Sequence, residues 1–169
     1  KNYSVREKKA YGRYQDFLRN IKVCDPACGS GAFLVEVFDY LLQENKRVAE
    51  ILDSLYNQDD FIADILHNNI YGVDINEERV EITKLSLWLK SAKKDKPLTT
   101  LSNNIKCGNS LINSIELAGD KSFSWQEQFP EIFKDEGFDV VLGNPPWVFA
   151  RGGNFSKLEK EYFNATYPL

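Results

Sequence analysis

The chain has 169 residues, 43% of them hydrophobic and 13% aromatic, which is enough apolar material for one sizeable core and a single domain. Its formal net charge of -4 argues against holding nucleic acid by bulk electrostatics, because phosphate neutralisation needs clustered Lys and Arg. Three cysteines without zinc-type pairing and a single histidine, His67, encode neither a disulfide framework nor a metal centre, and no run of about 18 apolar residues offers a membrane span.

Residues 1–13 are too polar for a secretory signal, so a soluble, cytoplasmic protein with reduced thiols and no metal is expected. Methionine is absent and the chain stops at Leu169, soon after its most informative motif, so both ends are expected to be boundaries of a piece of a longer protein. Residues 1–20 read as a basic helical lead-in. There Lys1, Arg6, Lys8, Lys9, Arg13 and Arg19, with Lys22 just beyond, outnumber Glu7 and Asp16. A second basic cluster comprises Lys90, Lys93, Lys94 and Lys96. Solvated helix faces explain such clusters more often than DNA contacts do.

The first strand is predicted over residues 21–25, closed by Pro26, after which Gly29, Ser30 and Gly31 turn the chain into a helix. That helix carries Phe33, Leu34, Val37, Phe38, Leu41 and Leu42 at helical spacing. Helical character continues over residues 45–69, with Val48, Ile51, Leu52, Leu55, Phe61, Ile62, Ile65 and Leu66 on buried faces. Residues 70–75 read as the second strand. Asn76 can cap the next helix, whose Val80, Ile82, Leu85, Leu87, Trp88 and Leu89 supply a broad apolar side until Pro97 ends the region. Residues 104–107 are a short strand leading into the turn Gly108, Asn109, Ser110. A polar, aromatic-bearing connection follows. Residues 138–142 are then a nearly uninterrupted apolar run, as expected of a strand buried on both faces, and residues 151–169 are loop followed by helix. Strand and helix alternate without any internal repeat, which predicts an α/β fold with a mainly parallel sheet flanked by helices.

In open parallel sheets ligands bind beyond the carboxyl ends of the strands, and this rule groups Asp25, Asp74, Asn109 and Asn144. The first turn runs Asp25, Pro26, Ala27, Cys28, Gly29, Ser30, Gly31, and its glycines let a small polar ligand approach the backbone where helix amides point outward. A plain strand-to-helix turn is the bland alternative for a bare Gly-x-Gly. Asp74 can accept both ribose hydroxyls of a nucleoside, or it can cap the following helix. In Asn144, Pro145, Pro146, Trp147 two prolines fix the backbone and remove two amide donors. The side-chain oxygen of Asn144 and the carbonyl of Pro145 are then free to accept hydrogen bonds from one exocyclic amino group, while Trp147 stacks on the attached ring. Against this stands a Pro-Pro turn that merely closes a strand.

The heptad from Asp25 to Gly31 and the tetrad from Asn144 to Trp147 resemble the cofactor and catalytic motifs of amino-group, adenine-specific DNA methyltransferases. Phe123, Ser124, Trp125, then Phe129, Pro130, Glu131, Ile132, Phe133, and Gly137, Phe138, Asp139, Val140, Val141 resemble the run before the catalytic motif in type IIG restriction-modification enzymes. The motif order resembles their gamma arrangement. The resemblance covers residues 23–147, and no Phe/Tyr-x-x-Pro motif precedes it. It implies a Rossmann-like class I S-adenosylmethionine-dependent methyltransferase fold. It implies that Asp25, Ala27, Gly29 and Gly31 hold the methionine part of S-adenosylmethionine, that Asp74 takes the ribose and that Ile75 packs on the cofactor adenine. Asn109 falls where the family places a residue near the cofactor amino group, with Ser110 and Leu111 beside the ring. Asn144, Pro145, Pro146 and Trp147 carry the target amino group and the base stacking.

The implied reaction is direct displacement, without a covalent intermediate, in which the amino nitrogen of an adenine flipped out of double-stranded DNA attacks the sulfonium methyl group. Neither Cys28 nor Cys107 has the context of a cytosine-ring nucleophile. The chain is expected to be one catalytic core, with the lead-in 1–20, the motifs 21–150 and the start of a downstream region 151–169. Target recognition, any fused nuclease and the DNA contacts belong to the longer protein, and the oligomeric state stays open. Methylation of RNA or of a protein glutamine, and a catalytically silent scaffold, are the alternatives. Cys28 within the heptad favours the DNA family.

Overall fold

The computed structural model describes residues 3–53, 58–91, 100–145 and 155–168. Strands β1 (Val23–Asp25), β2 (Ile70–Asp74), β3 (Ile105–Cys107) and β4 (Val140–Val141) form one sheet in the order β3-β2-β1-β4. Every pairing is parallel. Parallel neighbours need long crossovers. The first of these is α2 (Ala32–Leu52), α3 (Gln58–Asp64) and a π-helical turn (Ile65–Asn69), and α4 (Glu77–Ser91) begins the second. Between β3 and β4 lie α5 (Ile115–Ala118), α6 (Trp125–Gln128) and α7 (Pro130–Lys134). Helix α1 (Val5–Asn20) precedes the sheet and packs on α2, and α8 (Lys157–Thr166) follows it. The predicted α/β architecture, a Rossmann-like parallel sheet flanked by helices, is therefore present.

Two buried asparagines join helix ends to strand starts. Asn69 Nδ2 donates to the carbonyls of Leu18, Arg19 and Ile21 at 3.1, 3.3 and 2.8 Å, which satisfies groups left over where α1 ends. Asn104 Nδ2 does the same for Leu66, His67 and Ile70 at 3.2, 3.0 and 3.0 Å. Strand β2 is buried along its whole length, and its side chains alternate. Ile70 joins the larger core with Leu34, Phe38, Val48, Leu66 and Leu87 of the crossover helices. Tyr71 and Val73 point the other way, into an aromatic layer built by Phe123 and Phe129 with Trp125 and Phe138 against it. The Tyr71 and Phe129 rings meet edge to face, with centroids 5.7 Å apart.

Several expectations are corrected. The strands are shorter than predicted by one to three residues, and α2 runs unbroken through Asn45 to Leu52. Leu55, Lys93, Lys94, Lys96 and Pro97 lie outside the described residues. Strand β4 is not buried on both faces: Val140 and Val141 are 38% and 65% exposed. It pairs with β1 on one side and lies at the edge of the sheet formed by the described residues. The connection read as polar and aromatic-bearing places its aromatic residues in the buried layer on β2. On α4 the buried stripe is Val80, Thr83 and Leu87, whereas Ile82, Leu85 and Leu89 face solvent, as does half of Phe33 on α2.

The basic lead-in serves the fold. Lys8 pairs with Asp53, the Arg19 guanidinium lies 5.8 Å over the Phe61 ring, and Lys22 Nζ donates to the Asn68 carbonyl at 2.7 Å. No described helix is long and apolar enough to cross a membrane.

Candidate functional site

Because the four strands run the same way, their carboxyl ends open on one edge of the sheet, and the chain leaves each through Asp25, Asp74, Asn109 or Asn144. After β1 the backbone turns through Gly29 at φ 56° and Gly31 at φ 85°, left-handed values that glycine adopts without strain. The two glycines do different work. A Cβ on Gly31 would stand 2.9 Å from Thr83 Cγ2, so that residue is glycine because a helix packs against it. A Cβ on Gly29 would meet nothing within 4 Å, so this part of the turn faces open space. The turn is fastened to β2 by the Cys28 amide, which donates to the Val73 carbonyl at 2.9 Å.

Two carboxylates anchor the turn. Asp25 is 1% exposed, and its Oδ1 accepts from the Ala27 amide at 3.0 Å. Burial pushes its carboxyl above the ordinary aspartate range, the negative Asp74 adds to this, and the Ala27 amide opposes it. Asp74 is 6% exposed and holds two amides, Gly29 on Oδ2 and Asn76 on Oδ1, both at 2.9 Å. Asn76 caps α4 as expected, its Oδ1 accepting from the Arg79 amide at 3.0 Å. A carboxylate offers about four lone-pair sites, so Asp74 keeps acceptor capacity for hydroxyl donors. Beside it Ile75 leaves 54% of its surface exposed, an apolar face next to an acidic one.

The turn after β3 is tied from outside. The Asn109 amide donates to the Lys121 carbonyl at 2.7 Å, and its Oδ1 accepts from the Leu111 amide at 3.1 Å, closing a local turn. Trp125 Nε1 donates to the Ser110 carbonyl at 2.9 Å. From α8, Tyr162 donates to Asn113 Oδ1 at 2.6 Å and Tyr167 to the Leu111 carbonyl at 3.0 Å. On the other flank the Leu142 amide donates to the Cys24 carbonyl at 3.0 Å, drawing the end of β4 to the end of β1. Contact there is close: a Cβ on Gly143 would lie 2.6 Å from Asp25 Oδ1. Asn144 and Pro145 follow, both exposed, and Pro146 and Trp147 lie outside the described residues. Thus Asp25, Gly29, Asp74 and the segment leading into Asn144 share one rim, and Asn109 and Ser110 stand at the neighbouring strand end.

The chain is similar to known proteins. Residues 68–169 match the family model described as Eco57I restriction-modification methylase. The chain belongs to this family. It is 38% identical over 112 residues to a Methanocaldococcus jannaschii protein whose name describes a type II restriction enzyme and methyltransferase, a match covering 61% of this chain and 10% of the relative. It is 34% identical over 151 residues to the type II restriction enzyme and methyltransferase RM.Eco57I of Escherichia coli, covering 76% of this chain and 15% of the relative. It is also 34% identical over 77 residues to the adenine-specific methyltransferase BrxX of Escherichia coli, covering 46% and 6%. The chain therefore spans a small part of the length of these relatives.

In this methylase-family chain three residues shape the site without having been assigned a role from the sequence. Thr83 Oγ1 donates to the Gly29 carbonyl at 2.9 Å. Its signal was a lone polar residue at helical spacing between Val80 and Leu87. Trp125 belongs to the quoted aromatic run, but only the fold shows its indole holding Ser110. Gly143 follows the apolar run over residues 138–142, and nothing in the local sequence signals its approach to Asp25.

Proposed function

We propose that this chain is the cofactor-binding and catalytic core of an S-adenosylmethionine-dependent DNA methyltransferase that modifies the exocyclic amino group of adenine within a restriction-modification system. The observation that carries this is the strand order, which sets β4 beside β1 so that Gly143 presses on Asp25 and Asn144 follows at the rim of the glycine turn. Family membership supports it, as do relatives named as restriction enzymes with methyltransferases and as an adenine-specific methyltransferase.

The residues present fit the cofactor. Gly29 faces open space, with Ala27 and Gly31 beside it, for the methionine part. The buried Asp25 supplies a carboxyl group at this turn, and Asp74 keeps acceptor sites for ribose hydroxyls. Exposed Ile75 offers apolar surface for the adenine ring, and Asn109 and Ser110 lie at the adjoining strand end. S-adenosylmethionine bound there supplies an electrophilic sulfonium methyl group. Asn144 and the Pro145 carbonyl accept hydrogen bonds from the target amino group and hold its lone pair toward the reacting carbon. Trp147 stacks on the flipped base. The longer protein supplies duplex recognition.

The test is methyl transfer by the intact protein from labelled cofactor, offered adenine-containing duplexes, RNA and protein. Label is expected in duplex DNA and lost when adenine is replaced. Asn144→Ala is expected to lower single-turnover methylation roughly 100-fold or more, as deletion of a preorganised charge-stabilising group does, and to leave cofactor affinity within about twofold. Near-normal turnover in Asn144→Ala would reduce the motif to a structural turn. Label confined to RNA or protein would replace the substrate.

A further inference from the structure

Helix α4 buries a narrow stripe, Val80, Thr83 and Leu87, and the middle residue is polar and 0% exposed. A hydroxyl taken wholly out of water must find a partner, or its burial costs free energy. Thr83 Oγ1 finds the Gly29 carbonyl at 2.9 Å, in the turn that faces open space. The Gly29 amide is held separately, on Asp74 Oδ2 at 2.9 Å. Gly29 is thus gripped at both its donor and its acceptor, by α4 on one side and the end of β2 on the other.

The same threonine supports the turn by shape. Its Cγ2, Oγ1 and Cα stand 2.9, 3.0 and 3.2 Å from where a Gly31 Cβ would be, and the Cys28 Sγ lies 4.0 Å from Oγ1. One side chain therefore touches Cys28, Gly29 and Gly31, the bend of the heptad. With φ 56° at Gly29 and 85° at Gly31, glycine's wide conformational freedom leaves the bend to be set by its contacts.

We propose that Thr83 is a positioning residue for cofactor binding: its hydroxyl fixes the Gly29 carbonyl and holds the turn in the form that receives the methionine part of S-adenosylmethionine. The inference rests on the cofactor reading above. Thr83 touches neither the target base nor the transferred methyl group, so its loss acts on cofactor affinity and not on the chemical step.

Three variants of the intact protein test this: Thr83→Val keeps the shape without the hydroxyl, Thr83→Ala removes both, and Thr83→Ser keeps the hydroxyl. Calorimetry gives the S-adenosylmethionine Kd, and steady-state methylation gives its KM and kcat. Thr83→Val and Thr83→Ala are expected to raise Kd and KM roughly tenfold or more, as loss of one buried hydrogen bond does, with kcat at saturating cofactor within about threefold of wild type. Thr83→Ser is expected to stay within about threefold throughout. Wild-type affinity in either hydroxyl-less variant overturns the inference, and so does a serine variant as weak as the valine one. Failure of both hydroxyl-less variants to fold also overturns it, because Thr83 would then belong to the general core. Wild-type protein that binds no cofactor would instead sink the cofactor reading, and this inference with it.

Discussion

Replacing Asp74 by alanine removes two hydrogen bonds at once, from the amides of Gly29 and Asn76, each 2.9 Å long. A hydrogen bond to a charged group contributes about 1.5–3 kcal/mol, so two would give about 3–6 kcal/mol. Asn76 sits at the exposed start of α4, where water can replace the carboxylate, which brings the expected local loss down to about 3 kcal/mol. At roughly 1.4 kcal/mol per tenfold, this is a factor of about 100 in local opening. Amide hydrogen exchange on the intact protein reads it directly. Peptides covering residues 26–31 and 75–79 should exchange about 100-fold faster in Asp74→Ala, while β3 keeps its protection. Cofactor affinity should fall too, by about 1–3 kcal/mol, because the ribose acceptors go with the carboxylate. Asp74→Asn, which keeps one acceptor oxygen, should show a smaller rise in exchange. Unchanged exchange over residues 26–31 together with unchanged affinity would refute the role given to Asp74 in both respects.

Gly143→Ala places a methyl group 2.6 Å from Asp25 Oδ1, so either the carboxylate or the end of β4 must move. Overpacking of this kind costs about 1–3 kcal/mol, and a displacement of about 1 Å at a reacting centre can cost 100-fold in rate. Methylation by the variant should drop at least tenfold, and normal activity with normal stability would disprove the contact. For Asp25 the folded carboxyl titrates above its unfolded value, chiefly through burial. Between the two values the unfolded chain has already released its proton, so rising pH lowers stability; the penalty is complete above the folded value and absent below the unfolded one. Asp25→Asn should therefore gain stability over wild type as pH rises above the ordinary aspartate value of about 4 in urea unfolding, while weakening cofactor binding. A pH-independent difference would refute the assignment.

Much of the site was legible because strand ends are punctuated. Pro26 and the glycines after Asp25, and the two prolines after Asn144, mark where the chain must leave the sheet, and the parallel-sheet rule then gathers those ends on one rim. The second strand was legible too, read over residues 70–75 and found as Ile70–Asp74. Strand β4 shows the limit. Its valines look the same in sequence whether the strand is central or at an edge, because exposure depends on a neighbour that the local pattern does not contain. The aromatic layer was missed for a related reason: α6 and α7 have four and five residues, too few for a helical period to show.

Asp74 and Thr83 show why the residues that hold a site are harder to read than those that form it. Helix capping and ribose binding were weighed as rivals for Asp74, yet the carboxylate already serves amides on two sides with one oxygen each and keeps acceptor capacity for a ligand. The two readings are compatible, and one of the amides it holds is that of Gly29, in the turn proposed to receive the cofactor. On α4 two stripes of three are set by helical spacing, and hydrophobicity favours the wholly apolar one, Ile82, Leu85 and Leu89, which faces solvent. The other stripe packs Val80 and Leu87 into the core and sets Thr83 against Gly31, a glycine whose missing side chain leaves room for it, 52 positions along the chain. Periodicity along one helix cannot carry that requirement, since it is a statement about two segments in contact. It becomes readable only when the sheet has brought the glycine turn and α4 together.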